Sequence, residues 1–119
     1  MTNKSLGKAG ENEARNFLSS LGYTFLDKNW RYGKLELDLI FMDKKEIVFV
    51  EVKTRSSNDF GGAAEAVSHV KKKNMINAAQ GWLMAKNLWE TPCRFDIVCI
   101  TKIKDTFKLV HYKNAFGIW

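Results

Sequence analysis

The sequence from residue 35 to residue 53 reads LELDLIFMDKKEIVFVEVK. Apolar and polar residues alternate over residues 35–41, a pattern that predicts a β-strand with one buried face. A polar turn over residues 43–46 then leads into the most strongly apolar run of the chain, residues 47–53, which predicts a second strand. The stretch therefore predicts a β-hairpin around which the remaining elements pack.

The elements on either side of this hairpin are predicted from helical periodicity, capping residues and turn signals. Ser5 is the predicted N-cap of the first helix, and Gly22 is its predicted stop. In chain order, the predicted elements are a helix (5–21), a strand (23–30), a turn (31–34), the hairpin, a polar loop (56–62), a helix (68–87) and two strands (95–100 and 107–112). The order α-β-β-β-α-β-β predicts an α/β fold with a mixed central sheet flanked by helices.

Length and composition limit the class of protein. A chain of 119 residues, 45% hydrophobic and 27% charged, is long enough for one folded core, so we predict a single domain over residues 1–119. No apolar run is long enough to cross a bilayer, and the N-terminal residues lack the hydrophobic segment of a signal peptide. We therefore predict a cytoplasmic protein with no membrane partner.

The net charge of +6 is distributed unevenly along the chain. Residues 1–59 carry 10 Lys or Arg and 9 Asp or Glu, a net charge of +1, whereas residues 60–119 carry 9 and 4, a net charge of +5. A basic half attracts polyanions such as nucleic acid. Solubility alone would explain the same charge, so this observation is weak by itself.

The hairpin predicts a pair of acids. If its turn is centred on Lys44 and Lys45, Asp38 lies opposite Glu51, with Lys53 on the same face two residues further along. Two facing carboxylates repel each other unless a cation lies between them, and Mg²⁺ prefers a site with one or two carboxylates. The alternative is a half-exposed strand whose charges are solvated, with Lys53 paired to an acid. Apolar residues on both faces of residues 47–52 argue against that alternative.

The ordered set of these residues resembles a known family. The matching stretches are Gly10-Glu11-x-x-Ala14, Gly22-Tyr23, Glu36-Leu37-Asp38-Leu39-Ile40, Phe49-Val50-Glu51-Val52-Lys53-Thr54-Arg55, Phe60-Gly61, Lys71, Ala79 and Arg94-Phe95-Asp96. Together they resemble the YraN-like family UPF0102, which is similar in fold to archaeal Holliday-junction resolvases. Asp38 with Glu51-x-Lys53 resembles the PD-(D/E)XK nuclease signature. Leu35 stands where the UPF0102 family usually has glycine, but the two acids that follow it, Glu36 and Asp38, are kept.

The resemblance implies a restriction-endonuclease-like core and a metal-dependent phosphodiesterase, an endonuclease that acts on DNA at branched or damaged structures. It implies a Mg²⁺ or Mn²⁺ ion held by Asp38, Glu51 and the backbone carbonyl of Val52, with Lys53 as the charged group that orients water or stabilises the transition state. Glu11 is the fourth implied catalytic residue. Helical periodicity alone does not choose between Glu11 and Glu13.

Nucleic acid, DNA in particular, is the expected partner, and three basic residues are expected to contact its phosphates: Arg55, Lys71 and Lys72. A solvated charge run explains the two lysines equally well. A competing interpretation is a non-catalytic nucleic-acid-binding module that recruits a partner. A weaker one is a protein-interaction scaffold or homodimer built on the apolar residues Leu88, Trp89, Ile118 and Trp119.

Overall fold

The computed structural model describes residues 2–56 and 67–117. Its elements are α1 (Asn3–Ser20), β1 (Thr24–Tyr32), β2 (Leu35–Asp43), β3 (Glu46–Ser56), α2 (His69–Ala85), β4 (Cys93–Ile103) and β5 (Thr106–Phe116). This order confirms the predicted α-β-β-β-α-β-β arrangement. Residues 57–62 of the predicted polar loop and the apolar pair Ile118 and Trp119 lie outside the described residues.

The five strands form one mixed sheet in the order β1-β2-β3-β4-β5. Neighbouring strands are antiparallel except β3 and β4, which pair in parallel from Ile47↔Cys93 to Ser56↔Lys102. A parallel pair needs a crossover connection, and α2 lies in the sequence between these two strands. The sheet therefore consists of two antiparallel units joined along the parallel pair.

One helix packs on each face of the sheet. Ala14 and Leu18 of α1 join a buried apolar cluster with residues of β2, β3 and β4. Met75, Ala78 and Trp82 of α2 join a second cluster on the opposite face. Because both faces are covered, residues 47–50 of β3 have no exposed surface, which confirms the prediction of a strand buried on both sides. No helix of the described ranges is long and apolar enough to cross a bilayer.

The β2–β3 hairpin has the predicted register. Its turn consists of Lys44 and Lys45, and the pairs run from Asp43↔Glu46 to Leu39↔Val50. Lys44 has φ of 57°, the left-handed conformation that a tight two-residue turn requires. The even-length turn fixes which residues oppose each other on the two strands.

The predicted start of α1 was wrong. The helix begins at Asn3, and its N-cap is Thr2, whose Oγ1 accepts a hydrogen bond from the Ser5 backbone N–H at 3.1 Å. Thr2 and Ser5 are both suitable N-cap residues, so sequence alone does not separate them. The predicted start of the second helix, at residue 68, was closer: Ser68 is the N-cap of α2, and its side chain accepts a hydrogen bond from the Lys71 backbone N–H at 3.1 Å.

A buried network of charged residues lies at the hairpin end of the sheet, with Arg94 of β4 at its centre. Only 5% of Arg94 is exposed, and Asp96 has no exposed surface. The Arg94 guanidinium donates to carboxylates of three residues and to the Tyr23 hydroxyl, at distances between 2.8 and 3.4 Å; the acids are Asp43, Glu46 and Asp96. His111 Nε2 lies 2.8 Å from Asp96 Oδ2. The network joins β2, β3, β4 and β5.

Candidate functional site

The candidate site begins where the β2–β3 ladder ends. The last pair of the ladder is Leu39↔Val50, and beyond it the Asp38 carboxylate accepts a hydrogen bond from the backbone N–H of Val52, with 2.9 Å between Oδ2 and N. A side chain has thus replaced a main-chain acceptor in the ladder. Asp38 and Glu51 were predicted to meet as an ordinary cross-strand pair; they do lie together, but through this different arrangement.

A break in the alternation of β2 places Asp38 in this position. Leu37 belongs to the apolar cluster beneath α2, whereas Leu39, two residues later, belongs to the cluster beneath α1. Residues two apart in a regular strand point to the same face, so the strand must turn over at Asp38. Asn29, which lies opposite Asp38 when the β1–β2 pairs are counted, has φ of 49°. Both strands are therefore distorted at this point.

Glu51 is the buried member of the acid pair. It is 7% exposed, and its Oε1 lies 3.6 Å from the Lys71 ammonium group. Its Oε2 is buried and has no hydrogen-bond partner within the part of the chain that the structure describes. A buried polar atom without a partner is rare and costly in folded proteins. The unpartnered oxygen is therefore a position for a ligand that supplies positive charge or a proton.

The electrostatics of the pair favour a bound cation or proton. Burial, together with the neighbouring Asp38 charge, raises the pKa of Glu51 to about 8. Burial also raises the pKa of Asp38, although the Val52 N–H and the Lys71 charge act in the opposite direction. Without a metal, Glu51 thus holds a proton near neutral pH.

These acids line a cleft of about 580 Å³ between α1 and the strands β1, β2 and β3. Glu11 reaches the cleft from α1, and its pKa is raised by burial and by the charges of Asp38 and Glu36. Glu13 is exposed and does not line the cleft. Of the two acids that helical periodicity left open, Glu11 is therefore the one that lines the cleft.

The basic residues predicted for the site separate into three groups. Lys53 lines the cleft beside the acids, and Lys71 reaches Glu51 from α2. Arg55 is not among the cleft residues; its Nε lies 3.4 Å from Thr101 Oγ1 on β4. Lys72 points to another groove, where its ammonium group lies 5.8 Å from the centre of the Phe116 ring. The structure thus brings Lys53 and Lys71 to the acids, but neither Arg55 nor Lys72.

Several cleft residues were missed by the sequence reasoning. Glu36 lines the cleft two residues before Asp38, although the sequence predicted no role for it at the site. Four basic residues also line it: Lys4, Lys8, Arg15 and Lys28. Lys4, Lys8, Glu11 and Arg15 are spaced as one face of a helix, and this spacing was the available signal. The cleft thus has an acidic floor and a basic rim.

The donor set can be compared with what a metal ion requires. Within residues 2–56 and 67–117, no group of three or more His, Cys, Asp or Glu side chains is arranged to hold a metal ion. A cation at this position would instead be held by Asp38 and Glu51 with fewer protein ligands. Mg²⁺ is commonly bound in this way, by one or two carboxylates plus water and phosphate oxygens. The unpartnered Glu51 Oε2 fits such an ion, and an extended strand directs the Val52 carbonyl to the same side as its N–H, towards Asp38.

Comparisons with known proteins place the chain in a protein family. The model of the family described as "Uncharacterised protein family UPF0102" matches residues 10–100. A UPF0102 protein of Lawsonia intracellularis is 42% identical over 119 residues, covering 100% of this chain and 90% of the relative. A UPF0102 protein of Chlorobium phaeobacteroides is 42% identical over 118 residues, covering 93% of each chain. One of Bacteroides thetaiotaomicron is 40% identical over 111 residues, covering 93% and 91%.

Proposed function

This chain belongs to the protein family UPF0102, and we propose that it is a metal-dependent phosphodiesterase that cleaves DNA internally, at branched or damaged structures. A cytoplasmic location is part of the proposal. The observation that carries it is the buried pair of Asp38 and Glu51, with one carboxylate oxygen that no described group satisfies. Such a pair destabilises the fold unless a ligand compensates it, so its presence needs a functional reason.

The order of the site residues supports this assignment. Asp38 on one strand, followed by Glu51-x-Lys53 at the end of the next, resembles the PD-(D/E)XK nuclease signature. The carboxylates meet at the end of a paired hairpin, and Lys53 lines the same cleft. A strand framework holds such groups more rigidly than a loop would, and positioning contributes much of the rate of phosphoryl transfer.

Each residue of the site has a definite role in the proposal. Asp38, Glu51 and the Val52 carbonyl would hold Mg²⁺ or Mn²⁺, which as a Lewis acid polarises the phosphate and activates water. Lys53, at the open side of the cleft, places positive charge where the phosphate gains negative charge. Glu11 lies across the cleft from the strands and orients water by accepting a hydrogen bond.

Cleavage assays test the proposal directly. The purified protein would be incubated with junction, flap and single-stranded DNA in Mg²⁺ or Mn²⁺, and in EDTA. We expect cleavage with either metal and none in EDTA. Lys53→Ala and Asp38→Asn should each lower the rate at least about 100-fold. Glu90→Gln, at an exposed position away from the cleft, is the matched control and should cleave normally. Absence of cleavage with every substrate and metal would contradict the proposal.

Metal binding can be measured without any substrate. A cation that binds only the folded protein raises its melting temperature, by an amount that grows with the ratio of metal concentration to Kd. We expect Mg²⁺ to stabilise the wild-type protein and the Glu90→Gln control. Glu51→Gln should abolish that stabilisation. An equal effect of Mg²⁺ on all three proteins would show that the acid pair is not the site.

The Lys71 contact favours a second candidate function. Its ammonium group lies 3.6 Å from Glu51 Oε1, so a protein cation already compensates part of the acid pair. In that case the protein would be a non-catalytic nucleic-acid-binding module, and the acids would be structural. This function predicts salt-sensitive DNA binding that Mg²⁺ does not change, and no cleavage. Unchanged DNA affinity and stability of Asp38→Asn in Mg²⁺ would support it over the nuclease.

A further inference from the structure

Gly7 of α1 is a glycine that the packing of the described residues does not explain. Glycine is less favourable than alanine in the interior of a helix, so a helical glycine usually marks a close contact. At Gly10 an added Cβ would overlap the Thr54 side chain, and at Gly81 it would lie 2.6 Å from Tyr32 Cδ1. At Gly7, apart from the adjacent residues and the helix's own backbone, no heavy atom of the described part of the chain lies within 4 Å of the Cβ position.

The open space beside Gly7 belongs to the cleft. Gly7 lines it together with Lys4, Lys8 and Glu11, all on one face of α1. Glu51, whose Oε2 has no hydrogen-bond partner among the described residues, lines the same cleft. An added methyl group at Gly7 would therefore intrude on whatever occupies the cleft, rather than on the protein itself. This position suits a ligand that approaches the helix backbone closely.

The charges beside Gly7 indicate the chemistry of that ligand. Lys4 and Lys8 are exposed side chains one helical turn apart, and neither has an ion-pair partner within the residues that the structure describes. They stand at the rim of a cleft whose floor is acidic, so they do not neutralise that floor by direct contact. The ammonium groups of Lys4 and Lys8, on either side of the Gly7 backbone, are suited to bind successive phosphates of a nucleic-acid strand.

We propose that the face of α1 formed by Lys4, Gly7 and Lys8 binds the phosphate backbone of a DNA strand that enters the cleft. The inference rests on the proposed function and deepens it, because it names the helix that carries the substrate strand. Arg15 continues the same face, about 16 Å from Lys4 along the helix axis. We call this face, from Lys4 to Arg15, the α1 track. A B-form strand advances about 3.4 Å per nucleotide, so the α1 track spans about five nucleotides.

Binding measured in EDTA tests the α1 track independently of cleavage. Fluorescence anisotropy of a short labelled DNA strand, alone and in duplex, would be followed from about 50 to 200 mM salt. Four proteins would be compared with wild type: Lys4→Ala/Lys8→Ala, Gly7→Ala, Gly7→Gln and the control Lys45→Ala/Lys108→Ala. The control removes the same charge from exposed lysines that do not line the cleft.

We expect the Lys4→Ala/Lys8→Ala variant to lose about tenfold in affinity and to lower the salt slope by about 2, while the control changes little. Gly7→Ala should raise the melting temperature by about 2–4 °C, because alanine favours the helix, yet weaken binding about threefold. Gly7→Gln should weaken it about tenfold or more. This combination of a more stable fold with poorer binding is not expected from a purely structural glycine.

Two outcomes would overturn the α1 track. One is equal DNA affinity of the Lys4→Ala/Lys8→Ala variant and its control. The other is unchanged affinity of Gly7→Gln at a normal melting temperature. These outcomes are distinct from failure of the proposed nuclease: a protein that binds DNA along α1 but cuts nothing in Mg²⁺ would keep the track and lose the enzyme.

Discussion

Asp38 and Val52 are joined by a hydrogen bond that replaces a rung of the sheet: the Asp38 carboxylate accepts the Val52 backbone N–H at 2.9 Å. Asp38 therefore has two functions. Its carboxylate accepts the last hydrogen bond between β2 and β3, and the same carboxylate also faces Glu51. Substitutions of Asp38 can separate the structural task from the chemical one.

Asp38→Asn keeps a side-chain oxygen that can accept the Val52 N–H, and it removes one charge from a buried acid pair. We therefore expect little loss of stability without metal, within about 0.5 kcal/mol, together with loss of Mg²⁺-dependent stabilisation. Asp38→Ala also removes the acceptor and should cost about 1–3 kcal/mol. Urea denaturation of both variants measures the difference. Equal stability of the two would mean that the hydrogen bond to Val52 contributes nothing.

The raised pKa of Glu51 predicts an unusual dependence of stability on pH. The folded protein without metal holds a proton on Glu51 up to about pH 8, whereas the unfolded chain releases it near pH 4.5. Since the folded state binds the extra proton in this interval, the free energy of unfolding should fall as pH rises from 4.5 to about 8.

Glu51→Gln should remove most of this slope, because its amide is neutral throughout. Denaturation in EDTA at a series of pH values provides the measurement, with Glu90→Gln as the matched control. Adding Mg²⁺ at the upper end of the interval should restore the stability of the wild-type protein. A wild-type slope identical to that of Glu51→Gln would show that Glu51 is not protonated in the folded state.

Gly10 should behave in the opposite way to Gly7. A Cβ at Gly10 would overlap the Thr54 side chain, where α1 lies against β3. Gly10→Ala should therefore destabilise the fold by about 1–3 kcal/mol despite its better helix propensity. Thr54→Ala in the same chain should restore part of that loss by making room for the methyl group. Additive effects of the two substitutions in a double-mutant cycle would contradict this contact.

Arg94 is expected to be the most sensitive position of the fold. Its removal leaves Asp96, which has no exposed surface, without its guanidinium partner. Arg94→Ala should cost about 3–5 kcal/mol, the typical effect of breaking a buried ion pair on one side. Lys113→Ala is the control, since its ammonium group lies 3.9 Å from Asp43 and is largely exposed; it should change stability by less than about 1 kcal/mol. Thermal denaturation distinguishes the two.

The hairpin was the most predictable part of the molecule. Its register follows from an even turn at Lys44 and Lys45 and from apolar residues on both faces of β3, and both are local properties of the sequence. The reversal of β2 at Asp38 was not predictable in this way. It depends on which helix covers Leu37 and which covers Leu39, a tertiary relationship that periodicity does not carry.

The basic residues show what net charge leaves out. The excess of positive charge in residues 60–119 predicted an attraction for nucleic acid in that half of the chain, whereas the lysines that line the cleft come from residues 4 to 53. Net charge sums over all surfaces, whereas the cleft depends on which residues the fold brings together. Lys72, chosen from a run of three lysines, lies in another groove for this reason.

Arg94 contacts Glu46 at the hairpin end of β3, about 16 Å along that strand from Glu51 of the acid pair. The Arg94 network has a partner for each charge, whereas the acid pair keeps one oxygen that no described residue satisfies. Substitutions that abolish the chemistry should thus leave a chain that folds, since the anchoring charges are elsewhere. During evolution, such a protein could therefore change its reaction, or lose its activity while it still binds its partners. The chain would remain folded at each step.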